Sequence, residues 1–507
     1  MSCVRWVCFV CVGMLVMGVV GTPGFGASPA EELTKRLPEG MIGFVATSGG
    51  DALKADFNKT SLGRMCNDPG VLKFYQAIKT ELIAKAIEGN DDPNVSKMID
   101  QAIGYVRMAI SRPILLGVFQ VAVTNGPPIG GFAILDAGDR KDEFVAAVSK
   151  LEHRTGEKIS DVDVGSLKLR QFESNDKVPL YWGWIGNHFL IAVNDAEKVV
   201  AKTVSKPKSS VPAYLGRLPA AGDALIVHSD YQRISRLIEE VVREKEGDEE
   251  AGMFTKAMKG LGLNTLRTLT ARVGFAGTEV VAHSVLEMPK ASGGVFGTLK
   301  PVDLGWLRAV DARAVTASVS NWDVAALYDI IMSTLKGVMP ESDYGQMQEM
   351  ISAIESELSL RIRGDLLDAL AGPMVSYGVP MGAVPEAPLG GFVLLAKLQN
   401  AAAFEKAMVA LGEFAVGHSQ GMLQIGSVTR DDGRTVHVWT IAPLAIAGLS
   451  PSWSIVSDHL VLGSNEALCD QGAEQLVVKS PDAKSLLDAE GYKKIVGQLP
   501  KEMLSFT

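Results

Sequence analysis

The sequence predicts an α+β protein built of two related halves, each a mainly antiparallel sheet with helices packed on one face. Three observations carry this. Pro128 to Leu151 (PIGGFAILDAGDRKDEFVAAVSKL) returns as Pro388 to Leu411 (PLGGFVLLAKLQNAAAFEKAMVAL), eight of twenty-four positions being identical with no gap at a spacing of 260 residues. A repeat at fixed spacing is the mark of a duplicated build. In both copies a short β-rich run, Phe132 to Leu135 or Phe392 to Leu395, leads into a segment with apolar residues at helical spacing; Phe144, Ala147, Val148 and Leu151 share one stripe. Further along, Trp182, His188, Asn194 and Ala196 match Trp453, His459, Asn465 and Ala467 at a spacing of 271. Eleven residues are therefore extra in the second copy, and we expect them in the loop or hairpin before Trp453.

Arg5 opens a positive n-region, Trp6 to Val20 form an apolar run and Gly21 to Ala27 a small-residue end, so residues 1–27 read as a secretory signal peptide cut after Gly26 or Ala27. The apolar run is shorter than the ~20 residues of a bilayer-spanning helix and no later segment reaches that length, so no transmembrane anchor is expected after cleavage. Cys11 follows Phe9 and Val10 inside the run, which is not a lipoprotein pattern. The first half is assigned to residues 28–290, a linker to 291–301 and the second half to 302–507.

Within the first half we expect a strand over Met41 to Ala46, a turn at Gly49 and Gly50, helices over 72–87 and 95–110, and a strand over 114–124 before the repeated motif. After it, VGSLKLRQF and YWGWIGNHFLIAVND read as antiparallel strands joined by the turn ESNDK. The Leu-Pro lead-in at Leu37 returns at Leu218, and Leu261 to Met288 read as a β-meander that closes this half. The glycines at 293, 294 and 297 mark the linker. The second half begins with a strand over 314–320, helices over 322–335 and 344–358, and DLLDALAGPMVSYGV in the place of ILLGVFQVAVT. The sequence ends at LPKEMLSFT, where the first half runs on for about seventy residues. We therefore expect a second half truncated at its C-terminus, with a bare edge where Leu261 to Met288 cover the first.

With 47% apolar and 21% charged residues the composition is that of a globular chain. Its formal charge of −9 becomes −10 once Arg5 is removed, which argues against a nucleic-acid partner. Three of the five cysteines lie in the signal segment; only Cys66 and Cys469 remain, too few for a disulfide framework, and we expect them unpaired.

The Leu-Pro lead-in followed by SLGRMCNDP (Ser61 to Pro69), the run LGLNTLRTLTARVGF (Leu261 to Phe275) and the run RGDLLDALAG (Arg363 to Gly372) resemble a family of large exported bacterial proteins catalogued as a domain of unknown function. The resemblance covers most of the mature chain. It implies export and a duplicated α+β build, and it brings no catalytic residues.

The most enzyme-like string is GHSQG, Gly417 to Gly421, with Ser419 at a nucleophile position and Asp458 and His459 downstream. A nucleophile elbow needs a strand turning into a helix. Here a helix over 401–416 precedes and a strand over 422–428 follows, so we read Gly417 as a helix cap and Ser419 as a loop residue. His153, His188, His228, His283, His418, His437 and His459 lack metal-ligand spacing, and DVDVGS at Asp161 to Ser166 lacks the closing glutamate of a calcium loop. Gly130 and Gly131 lack the third glycine of a dinucleotide fingerprint. No catalytic, cofactor-binding or metal residue is assigned, and no cofactor. The apolar stretch Ile441 to Pro451, replacing the polar ESNDK turn, must be covered, since each exposed aliphatic forgoes ~1.5–3 kcal/mol of burial. The reading is an exported protein of the periplasm, envelope or exterior with a non-enzymatic binding or structural role. The alternatives are a carrier of apolar ligands or lipid at Ile441 to Pro451, and a serine hydrolase using Ser419.

Overall fold

The structure, a computed structural model, describes residues 28–87, 93–120, 129–155, 159–165, 167–173, 179–194, 196–219, 222–288, 293–370, 372–385, 387, 390–445, 449–477, 484–496, 503 and 505–506. The expected signal peptide lies outside them, as do Pro128, Pro388, most of the ESNDK turn, the centre of Ile441 to Pro451 and most of the terminal LPKEMLSFT. The chain divides into two compact units.

In the first unit, alternating burial along β1 (Met41–Thr47), β2 (Ile114–Gln120) and β3 (Ile129–Asp136) sets a sheet that both faces help to hold. It continues through β4 (Ile159–Val164), β5 (Leu167–Glu173), β6 (Pro179–Ile185), β7 (His188–Val193), β8 (Leu225–Asp230), β9 (Thr268–Ala276) and β10 (Glu279–Glu287). The ten strands run antiparallel in the order β10-β9-β8-β1-β2-β3-β7-β6-β5-β4. Leu115, Phe132 and Ile134 pack with Ala30 and Leu33 of α1 (Pro29–Thr34) and with Val200 and Val204, which lie beyond β7. Their neighbours Ile114 and Leu135 point the other way, to Met108 and to Phe144. The α+β build is as expected; the helices, expected on one face, cover both.

The further helices of this unit are α2 (Gly50–Phe57), α3 (Ser61–Cys66), α4 (Pro69–Ile87), α5 (Pro93–Ile110) and α6 (Lys141–Thr155), then α7 (Glu197–Ser205). Thr60 caps α3 by accepting from Gly63 N–H at 2.9 Å. The long segment YWGWIGNHFLIAVND, expected as one strand, is the hairpin of β6 and β7 turning at Gly186, whose φ is +60°. The expected meander is a single hairpin of β9 and β10, paired onto β8.

The second unit comprises Lys290–Thr507 together with Glu239–Thr265, so a segment that the repeats place in the first half packs with the second. This segment holds the end of α8 (Tyr231–Lys245) and all of α9 (Asp248–Gly260). Its sheet contains β11 (Thr316–Ser320), β12 (Met374–Val379), β13 (Gly391–Lys397), β14 (Leu423–Thr429), β15 (Thr435–Ile441), β16 (Ser452–Val456), β17 (His459–Gly463) and β18 (Ser505–Phe506). The order is β14-β15-β16-β17-β13-β12-β11-β18, again antiparallel throughout. Strand for strand this repeats β4-β5-β6-β7-β3-β2-β1-β8. The end strand β18 pairs with β11 as β8 pairs with β1. The helices are α10 (Val324–Val338), α11 (Glu341–Leu358), α12 (Ala401–His418), α13 (Ala442–Ala445), α14 (Glu466–Val477) and α15 (Glu490–Ile495).

Register corrects the gapless spacing of the repeat. Leu135 lies opposite Ile114 and Phe189, whereas the residue opposite the corresponding Met374 and Leu460 is Ala396 rather than Leu395. The strands are thus equivalent at a spacing of 261, while the helices keep 260, with Phe144 and Phe404 both buried. The connection accounts for the step: Ala137 to Arg140 join β3 to α6, but only Leu398 to Asn400 join β13 to α12. Gly138, held at φ +53°, has no counterpart. Because strand side chains alternate, one residue of slip turns a side chain to the opposite face. Phe132 is 6% exposed, and its sequence match Phe392 is 49% exposed.

The eleven extra residues are also distributed rather than confined before Trp453. Register equates Asp161 with Ser427, Arg170 with His437 and Trp182 with Trp453, at spacings of 266, 267 and 271. Six residues therefore enter between helix and strand after α12, one in the β14–β15 hairpin and four between β15 and β16. The expected linker is built structure from Gly293 on: Val295 N–H donates to Leu261 C=O at 3.0 Å and Lys300 N–H to Asn321 C=O at 2.8 Å.

Candidate functional site

The end of β11, the start of β12 and the end of β13 lie side by side in the second unit, and the segments joined to them line a cavity of about 460 Å³ that is partly open to solvent. Its walls come from four stretches: Lys300; Asn321, Trp322, Asp323 and Ala325 at the start of α10; Leu367, Asp368, Leu370, Gly372 and Pro373; and Lys397 with Gln399. The third stretch is the end of the RGDLLDALAG run, which opens as a π-helical turn over Ile362–Leu367 closed by Asp368 N–H donating to Arg363 C=O at 3.0 Å. π-turns are rare and gather at functional sites.

Asp323 caps α10, its Oδ1 accepting from Ala326 N–H at 3.0 Å while Oδ2 accepts from Lys300 Nζ at 3.0 Å. The Ala326 N–H first, and Lys300 second, hold this carboxyl below the usual range. Arg363 grips Asp329 of α10 with two hydrogen bonds of 2.8 Å and also pairs with Asp368. Asp329 is held low by Arg363, and the guanidinium is pushed up in return. Both carboxylates of the cavity wall, Asp323 and Asp368, are thus already answered by cations or N–H groups.

The remaining polar groups are more loosely held, and Lys397 and Gln399 are exposed. Lys397 Nζ has its nearest carboxylate, Asp458, at 4.0 Å, and Asp458 is itself 2.8 Å from His459 Nδ1. Among the described residues the Gln399 carboxamide and the Trp322 indole N–H have no hydrogen-bond partner. Gln399 is placed by its main chain, whose N–H donates to Ala369 C=O at 2.8 Å. Gly372 is required beneath Lys397, because a Cβ there would lie 2.8 Å from the lysine Cβ.

The residues singled out from sequence lie elsewhere. Ser419 is the C-cap of α12, a role expected of Gly417; its Oγ donates to Val416 C=O at 3.0 Å and accepts from Leu423 N–H at 3.2 Å. It stands between a helix and β14, in the connection that the second half has lengthened. His188 and His459 open β7 and β17, and burial lowers the pKa of both. Cys66 and Cys469 are free thiols, and burial pushes Cys469 up to about 11. Asp161 and Asp163 lie in β4, beside a turn at Gly165. Among the described residues no three His, Cys, Asp or Glu side chains are grouped to hold a metal ion, and no helix is long and apolar enough to cross a membrane. Leu444 of the apolar stretch is 39% exposed.

Sequence reading missed the cavity, since its four walls are separated by up to a hundred residues. One signal was present: Arg112-Pro113 stands 260 residues before Gly372-Pro373, an arginine exchanged for a glycine beside an unchanged proline. No family model, curated protein or solved structure matches this chain.

Proposed function

We propose that this is an exported, non-enzymatic binding protein of the periplasm or envelope, and that its ligand site is the cavity at the start of α10. The observation that supports this reading is the electrostatic state of the cavity. Acid–base catalysis calls for a group whose pKa lies near the working pH, whereas the Asp323 carboxyl is driven away from that range and kept ionised. A donor-rich pocket with an aromatic wall and fixed charges is suited to holding a polar solute in one orientation. Export rests on the leader-like residues 1–27 and on the resemblance of the mature chain to an exported family.

A thermal-shift screen of the secreted protein against sugars, amino acids and organic acids tests the assignment, with Trp322→Ala alongside. The expected result is at least one class that raises the Tm of the wild type and not of the variant, together with an N-terminus at Ala27 or Ser28 in protein recovered from the periplasm. Turnover of an ester that is lost in Ser419→Ala, or no stabilisation by any class, would defeat it.

A further inference from the structure

The two halves differ most informatively at this place, because the first half fills it with its own side chain. Arg112, the counterpart of Gly372, lies over Gly138, where a Cβ would sit 2.0 Å from Nη2. Its Nη1 is 3.1 Å from Asp139 Oδ1 and its Nε donates to Asp136 C=O at 3.3 Å. The first-half site is therefore a cation with its own carboxylate. In the second half the arginine has become Gly372, which opens the space, and Asp136 has become Lys397, which restores a positive charge from the neighbouring strand. Asp139, the internal carboxylate, has become Gln399. The cation is retained, but the carboxylate nearest to it is now Asp458, 4.0 Å away and shared with His459 Nδ1, in place of the 3.1 Å partner that Arg112 has in Asp139.

From this exchange we infer that the cavity takes a small organic carboxylate, the ligand supplying the acid that Asp139 supplies in the first half. The inference rests on the cavity being a binding site. Lys397, the Gln399 amide and the Trp322 indole N–H are all donors, and the carboxylates of the wall are already satisfied, so an acceptor-rich anion matches what is left. A neutral polyol would leave the Lys397 ammonium with only the loose 4.0 Å pairing to Asp458, and a cation would face it directly. Trp322 gives the lining an aromatic side chain, which favours an aromatic or unsaturated acid.

The test uses 4-fluorobenzoate and 4-fluorobenzamide, which share a ring and differ in charge, titrated into the whole protein and followed by ¹⁹F line broadening. A charge-assisted hydrogen bond to Lys397 should make the acid bind about tenfold tighter than the amide. Lys397→Met should erase the preference, and raising salt from about 0.05 to about 0.5 M should weaken the acid and leave the amide unchanged. The salt arm needs no variant, so it decides the matter even if Lys397→Met folds poorly. Equal or tighter binding of the amide, or binding of glucose in the same cavity with none of the acid, would overturn the carboxylate assignment while leaving the site a binding site. Absence of binding by the acid, the amide and every class in the thermal-shift screen would overturn both.

Discussion

Arg272, 3% exposed on β9, donates to both oxygens of Asp223, at 2.8 and 2.5 Å, and to Glu31 Oε2 at 2.6 Å. Ser28 Oγ donates to the same Asp223 at 2.9 Å while capping α1, so one guanidinium ties the first described residues to the sheet. Asp223, the largest influence, raises the pKa of the guanidinium further. Removing one partner of such a group strands the others in low dielectric. Arg272→Ala should therefore cost about 3–5 kcal/mol in urea unfolding, and Arg272→Met with Asp223→Leu together should cost less than the single change. Equal losses in the single and double variants would show that packing, not charge, is at stake. No sequence pattern announced this network, because Glu31 of α1, Asp223 just before β8 and Arg272 of β9 are far apart in the chain and meet only when β8 and β9 pair.

At the scale of elements, several helices and strands were legible from periodicity: the strand at Met41, the helices ending at Ile87 and Ile110, and the helix over 401–416 all stand within a few residues of where apolar spacing puts them. Register was not legible, and the reason is physical. The identities Gly130, Gly131, Phe132 and Leu135 suggest a gapless repeat, but a strand's facing is decided by its neighbours, and β12 and β17 hold β13 one residue out of step. Gly138, the residue whose loss allows this, is visible only as a small change in connection length. The consequence can be measured. Phe132→Ala should cost about 3–5 kcal/mol, as expected for a buried aromatic, whereas Phe392→Ser, its exact-spacing counterpart, should fall within about 0.5 kcal/mol of wild type. Equal costs at the two positions would mean that the halves share one register after all. The cavity was illegible for the same kind of reason, since Lys397 reaches its wall only through a facing that the register sets.

For the whole molecule, chain order and compact units do not coincide. Glu239–Thr265 follow β8 of the first unit and precede β9 of the same sheet, yet α9 packs on α10 within the second unit. The contact is close: Gly260 meets Thr334, which is buried, and a Cβ on the glycine would stand 2.5 Å from Thr334 Oγ1. Val295 N–H donates to Leu261 C=O at 3.0 Å, so the stretch leading toward Lys300 is fastened to the end of α9. Through Lys300 this reaches the cavity wall. A duplication read as two consecutive blocks would assign α9 to the first unit and expect its loss to be felt there. The packing argues the opposite. Gly260→Leu should force α9 away from α10, an overpacking cost of about 1–3 kcal/mol. In hydrogen exchange followed by mass spectrometry, deprotection should appear in peptides covering 248–265, 293–300 and α10, with those of β1 to β3 unchanged. The same variant should weaken ligand binding at the cavity, because Lys300 and Asp323 are positioned by the elements that α9 supports. Deprotection centred on β8 and β9, with α10 unaffected, would return α9 to the first unit.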